Sequence, residues 1–165
     1  MSGPHATVDQ CCQLMAELAP LALAEPWDNV GLLLGDRRWP VRRVMTCLTV
    51  TAAVVDEAVR RQVDLLVTHH PLPFKPLGRV TSDTITGRLL LGLIGAQVAV
   101  YSAHTAFDSA ADGINQLWAR RLELQSIGVL VPSESVAAAA VDTPPQGAGR
   151  HGRLAQPCSL DELGR

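Results

Sequence analysis

The chain has little of what marks several large classes of protein. Among its 165 residues, 4% are aromatic and 18% are charged, and lysine and arginine form no cluster. Without a basic cluster, nothing favours binding to a nucleic-acid backbone. The four cysteines have no C-x-x-C spacing, so the sequence indicates reduced thiols and not a disulfide framework.

Long apolar runs are also missing. The longest, residues 89–101, contains Gly92, Gly95 and Gln97 and is too short to cross a bilayer. The first seven residues lack the charged-then-apolar pattern of a secretory signal peptide. We therefore expect a cytoplasmic protein that has neither a membrane nor a nucleic acid as its partner.

The segments that are present alternate between strand and helix patterns. The length and the 47% apolar composition suffice for one domain with a substantial core. Strand patterns at 44–50, 65–68 and 97–102 are separated by helix patterns at 52–62 and about 83–94. Because strands joined by a helical crossover run parallel, the sequence predicts an α/β fold with a mostly parallel sheet flanked by helices.

Helix starts are indicated by residues whose side chains can cap a helix. Thr7 with Gln10, and Ser159 with Glu162, match the capping box. The other predicted N-caps are Thr51, either Ser82 or Asp83, and Asp112.

The character of the chain changes near residue 131. A last strand is predicted at 122–131, and residues 132–149, rich in alanine and proline, are predicted as a loop or linker. We expect an α/β metal-binding lobe over 1–131, and a linker with the truncated start of a second lobe over 132–165. The chain ends soon after the capping box at Ser159, which suggests a helix cut short.

Two adjacent histidines, His69 and His70, follow the strand pattern at 65–68 and precede Pro71. Ligands gather at the carboxyl ends of strands in α/β proteins, and neutral imidazole is the commonest protein ligand for transition metals. Successive strand residues face opposite ways. Both rings therefore serve one site only if the backbone turns there, or each faces a different metal in a two-metal cluster.

The next strand pattern, 97–102, is followed by His104 and Asp108. On a helix, a spacing of four places both on one face; in a loop it is only suggestive. If the two strand ends converge, they form a mixed nitrogen and oxygen site that suits Zn, Fe, Mn or Co. Two such metals could make hydroxide from water near neutral pH.

Two neighbouring segments have open interpretations. Trp27, Asp28 and Asn29 are interpreted as a structural loop with a buried ring, the alternative being a loop that fixes the mouth of the site. Phe74 and Lys75 could offer an aromatic face and a cation to a substrate, although an exposed lysine is more often simply solvated.

Four motifs together resemble the NGG-one-interacting-factor-three family, whose members are commonly described as GTP cyclohydrolase I type 2 homologues. They are PWDNVGL at 26–32, THHP at 68–71 with Phe74-Lys75, YSAHT at 101–105 with Asp108, and GIN at 113–115. Residues 147–154 resemble a later glycine-arginine motif of the family.

The resemblance implies two similar α/β lobes around a dinuclear metal site, a homohexameric ring and a cytoplasmic protein. It implies that His69, His70 and Asp108 are metal ligands and that His104 is a catalytic residue beside two divalent cations. The implied activity is a metal-dependent hydrolase acting on a nucleotide-like small molecule.

Two departures from the family pattern keep a second function open. Thr49 stands where the family usually has Asp, and the family continues for about a hundred residues that supply a further His and a bridging Glu. The alternative is therefore a non-catalytic interaction or assembly module with an incomplete metal site.

Overall fold

Capped helices alternate with short apolar strands through most of the chain. The computed structural model describes residues 5–133 and 146–164, and it divides into one unit that ends at Phe107 and another that begins at Asp108. The first unit contains, in chain order, β1 (Ala6–Thr7), α1 (Val8–Leu18), a short 3-10 helix (Leu21–Leu23), β2 (Gly31–Leu34), β3 (Pro40–Val41), β4 (Val44–Cys47), α2 (Ala52–Arg60), β5 (Leu65–Thr68), α3 (Ile85–Gly95) and β6 (Ala99–Ser102). Helix α4 (His104–Ser109) contains the division.

The central sheet has four strands in the order β2-β6-β5-β4. Strands β4, β5 and β6 are parallel, as the two helical crossovers require, and β2 is antiparallel to β6. The mixed α/β fold with a mostly parallel sheet is confirmed. Cys47, Thr68 and Ser102 are in register at one edge of the sheet, and Gly31 pairs with Ser102. The loop before β2 therefore reaches the same edge as the loops after β4, β5 and β6.

The core of this unit lies where α2 and α3 pack against each other and the sheet. Both helices turn an apolar stripe inward, which removes that surface from water. The buried cluster consists of Val50, Val55, Ala58, Val63, Leu66, Leu89, Leu93, Val98 and Val100. This packing fixes the ends of the parallel strands and so the positions of the loops that follow them.

The two capping boxes are confirmed, but two other predicted caps are wrong. Helix α3 is capped by Thr84, whose hydroxyl accepts from Gly87 N at 3.0 Å, and the Asp83 carboxylate accepts from Thr81 instead. The helix at Ile114–Arg121 is preceded by Gly113, and the Asp112 carboxylate pairs with Arg120 at 2.8 Å. The Asp83 and Asp112 carboxylates have other side-chain partners, Thr81 and Arg120, and each helix begins after the following residue.

The second unit contains α5 (Ile114–Arg121), β7 (Gln125–Pro132), β8 (Gly147–Arg153) and α6 (Leu160–Leu163). The loop predicted over 132–149 is wrong at its end, because residues 147–153 form a strand antiparallel to β7. The Arg150 guanidinium fastens this strand by donating to the carbonyl oxygens of Ala110, Gly147 and Gly149. The predicted linker residues 134–145 lie outside the described residues.

The lobe boundary at residue 131 stays a prediction, since it concerns the complete family fold. Within residues 5–133 and 146–164, no helix has the length and hydrophobicity that a membrane crossing requires.

Candidate metal centre

The chain bends directly after β5, and this bend brings His69 and His70 together. Strand β5 ends at Thr68, whose hydroxyl donates to the His70 carbonyl at 3.1 Å, and Ser102 donates to the His69 carbonyl at 2.6 Å. The two ring centroids are 5.1 Å apart. A continued strand would have separated the rings, and the backbone bend of the first alternative is present. Whether the two rings serve one metal or two stays a prediction.

His104 completes a cluster of three imidazoles. It follows β6 as the first residue of α4, and its φ of +32° is unusual for a residue with a side chain. Its ring centroid lies 5.1 Å from that of His69 and 5.8 Å from that of His70. One ring nitrogen from each histidine lies within 4.8 Å of the other two.

Asp28 is the residue that holds His104 in place. Its side chain is fully buried, and its Oδ1 lies 2.8 Å from His104 Nδ1 and accepts from Asn29 N. Its Oδ2 accepts from the backbone N and the hydroxyl of Thr105. Burial raises the pKa of Asp28, but the hydrogen bonds from Thr105, His104 and Asn29 outweigh burial and lower it. The carboxyl is therefore an anion that can only accept.

These contacts determine which nitrogen each ring can offer. Because the Asp28 carboxylate accepts, His104 carries a proton on Nδ1, and in a neutral ring Nε2 is then the nitrogen with the free lone pair. His70 Nδ1 lies 2.6 Å from Thr49 Oγ1, and a proton on this Nδ1 likewise leaves Nε2 free. Metal-ligating histidines characteristically use their second nitrogen in this way, because the outer hydrogen bond fixes the ring and its tautomer.

The three imidazoles suit a transition-metal ion. A Zn ion lies about 2.0–2.1 Å from each histidine nitrogen that ligates it, and imidazoles also suit other transition metals. Ligand nitrogens within 4.8 Å of one another need only small side-chain rotations to meet one ion. The donors and their outer hydrogen bonds therefore fit a divalent transition metal, and His69, His70 and His104 are the residues that would hold it.

The fourth predicted site residue, Asp108, is the first residue of the second unit. Its backbone carbonyl accepts from Asn115 Nδ2 at 3.0 Å. Its assignment as a metal ligand stays a prediction. The sequence missed Asp28 and Thr49 as partners of the histidine rings, although Asp28 belongs to the PWDNVGL motif.

Two exposed aromatic rings lie beside His104. The Trp27 and Phe74 centroids are 6.1 Å apart, and each is 6.4 Å from the His104 centroid. The buried Trp27 ring expected from the sequence is wrong, since this side chain is 61% exposed. The loop before β2 carries both the Trp27 ring and the Asp28 carboxylate. It reaches this edge of the sheet because β2 is antiparallel to β6.

Curated relatives resemble this chain over most of its length. The GTP cyclohydrolase 1 type 2 homolog of Clostridium acetobutylicum is 36% identical over 156 residues, which cover 94% of this chain and 56% of the relative. The NIF3-like protein 1 of Drosophila melanogaster is 34% identical over 119 residues, which cover 72% of this chain and 41% of the relative. The chain thus spans about half the length of the curated relatives it matches.

Solved structures agree with the sequence relatives. A Bacillus cereus protein related to NIF3 superposes with a TM-score of 0.74 at 36% identity, over 79% of this chain and 36% of the other. A model of the Duf34/NIF3 (NGG1p interacting factor 3) family matches residues 6–165. Because that match covers nearly the whole sequence, the chain belongs to the Duf34/NIF3 family.

Proposed function

We propose that this chain binds divalent transition-metal ions and contributes to a metal-dependent hydrolase of a nucleotide-like small molecule. The observation that carries the proposal is the meeting of His69, His70 and His104 nitrogens within 4.8 Å. The substrate class follows from the relatives named GTP cyclohydrolase 1 type 2 homolog. Zn, Fe, Mn and Co all suit imidazole ligands, and Asp108 would add a carboxylate oxygen.

The ring of His104 has a different role in this proposal from the catalytic one that the sequence suggested. His104 lies as close to His69 as His69 lies to His70, with both pairs of ring centroids 5.1 Å apart. This placement favours His104 as a ligand. Asp28 keeps the Nδ1 proton of His104 in place, and Thr49 does the same for His70, so that both rings present Nε2.

The chemistry that a bound divalent metal supplies is Lewis acidity and a lowered pKa of water, which makes hydroxide available near neutral pH. The protein's own contribution is to hold the imidazole rings in place through the hydrogen bonds of Asp28 and Thr49. His70 is exposed, whereas His69 and His104 are half-buried. The open side of the cluster is therefore next to His70, where a small molecule can reach it.

Metal content tests the proposal directly. We expect zinc, iron, manganese or cobalt in the purified chain by mass spectrometry, and strong loss in a His69→Ala/His70→Ala double variant. A His151→Ala variant is the matched control, because this histidine lies on β8 in the second unit. Equal metal in the double variant and the control would contradict the proposal.

A second candidate function is an interaction or assembly module with an incomplete metal site. It is favoured by Thr49, which places a hydroxyl and not a carboxylate 2.6 Å from His70 Nδ1. In this case we expect weak zinc binding together with self-association, up to the hexamer proposed for the family. Zinc titration combined with the mass in solution separates the two functions, because tight zinc binding by a monomer favours the first. A cytoplasmic location remains part of both proposals.

A further inference from the structure

Two of the six aromatic residues of this chain are exposed beside the histidine cluster. Trp27 is 61% exposed and Phe74 is 45% exposed, although aromatic rings gain much from burial. Both rings contact His104, at centroid distances of 6.4 Å and interplanar angles of 79° and 89°. Large rings left in water next to candidate metal ligands are typical of a surface that a ligand covers.

The loops that carry these rings are firmly held. On the Trp27 side, Asp28 is buried against His104 and Thr105, and Glu25 N donates to Thr105 Oγ1 at 3.0 Å. On the Phe74 side, Asn29 Nδ2 donates to the Pro73 carbonyl at 2.6 Å, which ties the two loops together. The rings are therefore placed before a ligand arrives, which lowers the entropic cost of binding.

The geometry selects how a ligand would bind. The Trp27 and Phe74 centroids are 6.1 Å apart with an interplanar angle of 65°, so the rings already touch edge to face. A planar ligand held between two parallel rings would need them about 7 Å apart, twice the usual stacking contact distance. A ligand must therefore lie on an exposed ring face, and Trp27 offers the larger one.

Aromatic surfaces attract organic cations and flat rings, and the charges near this site favour one of the two. A cation here would be close to the proposed divalent metal and to the chain segment that carries Lys75, the exposed neighbour of Phe74. Like-charge repulsion disfavours it. A neutral flat ring meets no such repulsion.

We propose that Trp27 and Phe74 form a stacking subsite for a planar nitrogen heterocycle of purine type, which orients the substrate over the histidine cluster. This inference rests on the proposed function, and it adds that the two rings recognise the planar base of the substrate. Stacking on aromatic side chains tolerates different bases, because every base has a flat π face. The subsite therefore selects a ring and not one particular base.

The test is calorimetric titration of the 165-residue chain with guanosine and with ribose 5-phosphate, which lacks the base. Each titration is run with zinc and with a chelator. We expect guanosine to bind the unaltered chain, and to bind the Trp27→Ala variant about tenfold more weakly. The Trp27→Phe variant should recover part of the lost affinity. Trp118→Ala is the matched control, since Trp118 is 56% exposed and lies in the second unit.

The outcomes separate this inference from the proposed function. Three results would overturn the subsite. Guanosine does not bind, ribose 5-phosphate binds as tightly as guanosine, or Trp27→Ala and Trp118→Ala weaken guanosine binding equally. A chain that fails to bind zinc but still shows Trp27-dependent guanosine binding would retain the subsite and lose the metal-dependent hydrolase proposal. Phe74→Ala is a second variant, expected to weaken guanosine binding too, and it replaces Trp27→Ala if circular dichroism shows that variant unfolded.

Discussion

Asp28 and His104 are 76 positions apart in sequence, yet Asp28 Oδ1 lies 2.8 Å from His104 Nδ1. The carboxylate is fully buried and the imidazole side chain is 16% exposed, so water competes little for this contact. Because an anionic carboxylate can only accept, the contact fixes the ring's tautomer as well as its orientation. The proposed metal affinity of the cluster therefore depends on a residue that would not touch the ion.

Removing the Asp28 charge should weaken metal binding without removing a ligand. For Asp28→Asn we expect about 10- to 100-fold weaker zinc affinity, because the outer partner of a ligating histidine is lost. The measurement is competition with a chromophoric chelator, together with the zinc-induced rise in Tm, which reports binding to the folded chain. Asp56→Asn, at an exposed carboxylate on α2, is the control. Unchanged zinc affinity in Asp28→Asn would show that Asp28 does not position His104.

Two substitutions of Thr49 should change the zinc affinity of the histidine cluster in opposite directions. Thr49 Oγ1 lies 2.6 Å from His70 Nδ1. We expect Thr49→Val, which keeps the shape but loses the oxygen, to weaken zinc binding several-fold. We expect Thr49→Asp to strengthen it, since a charged acceptor makes the stronger hydrogen bond. The same chelator competition measures both, and the opposite order of affinities would contradict the role of this contact.

Two adjacent buried hydroxyls on β6 should respond in opposite directions. Among the described residues, the Tyr101 hydroxyl is buried without a hydrogen-bond partner, whereas Ser102 Oγ donates to the His69 carbonyl at 2.6 Å. We expect Tyr101→Phe to raise the free energy of unfolding by up to about 1 kcal/mol, because a desolvated group is removed. Ser102→Ala should lower it by about 1–3 kcal/mol. Urea unfolding of both variants checks the prediction, which fails if Tyr101→Phe is the more destabilising.

Asp36 should contribute to stability in a pH-dependent way. The hydrogen bond from the Arg38 side chain lowers the pKa of Asp36 from its ordinary 3.8 to about 2. A pKa lowered in the folded state stabilises the fold above the ordinary value, and this contribution is lost as the pH falls through about 2. We expect the Tm difference between the unaltered chain and Asp36→Asn to be largest above about pH 4 and to vanish below about pH 2. A difference that stays constant over this range would refute the assignment.

Much of the fold could be predicted from local patterns. The two crossovers from β4 through α2 to β5, and from β5 through α3 to β6, follow from apolar strand segments and helical periodicity. The capping boxes at Thr7 and Ser159 were predicted because each involves residues only three positions apart. Where capping residues had other partners, as at Asp83 and Asp112, the local pattern gave the wrong cap.

The sequence by itself determined the α/β class and the placement of His69, His70 and His104 after strand ends, because periodicity and strand order are local properties of the chain. Only the tertiary structure decided that the chain bends after Thr68, that Asp28 and Thr49 reach the histidine rings, that residues 147–153 pair with β7, and that Trp27 stays exposed. These features join residues far apart in sequence, and their hydrogen bonds and burial depend on the path of the whole chain in space.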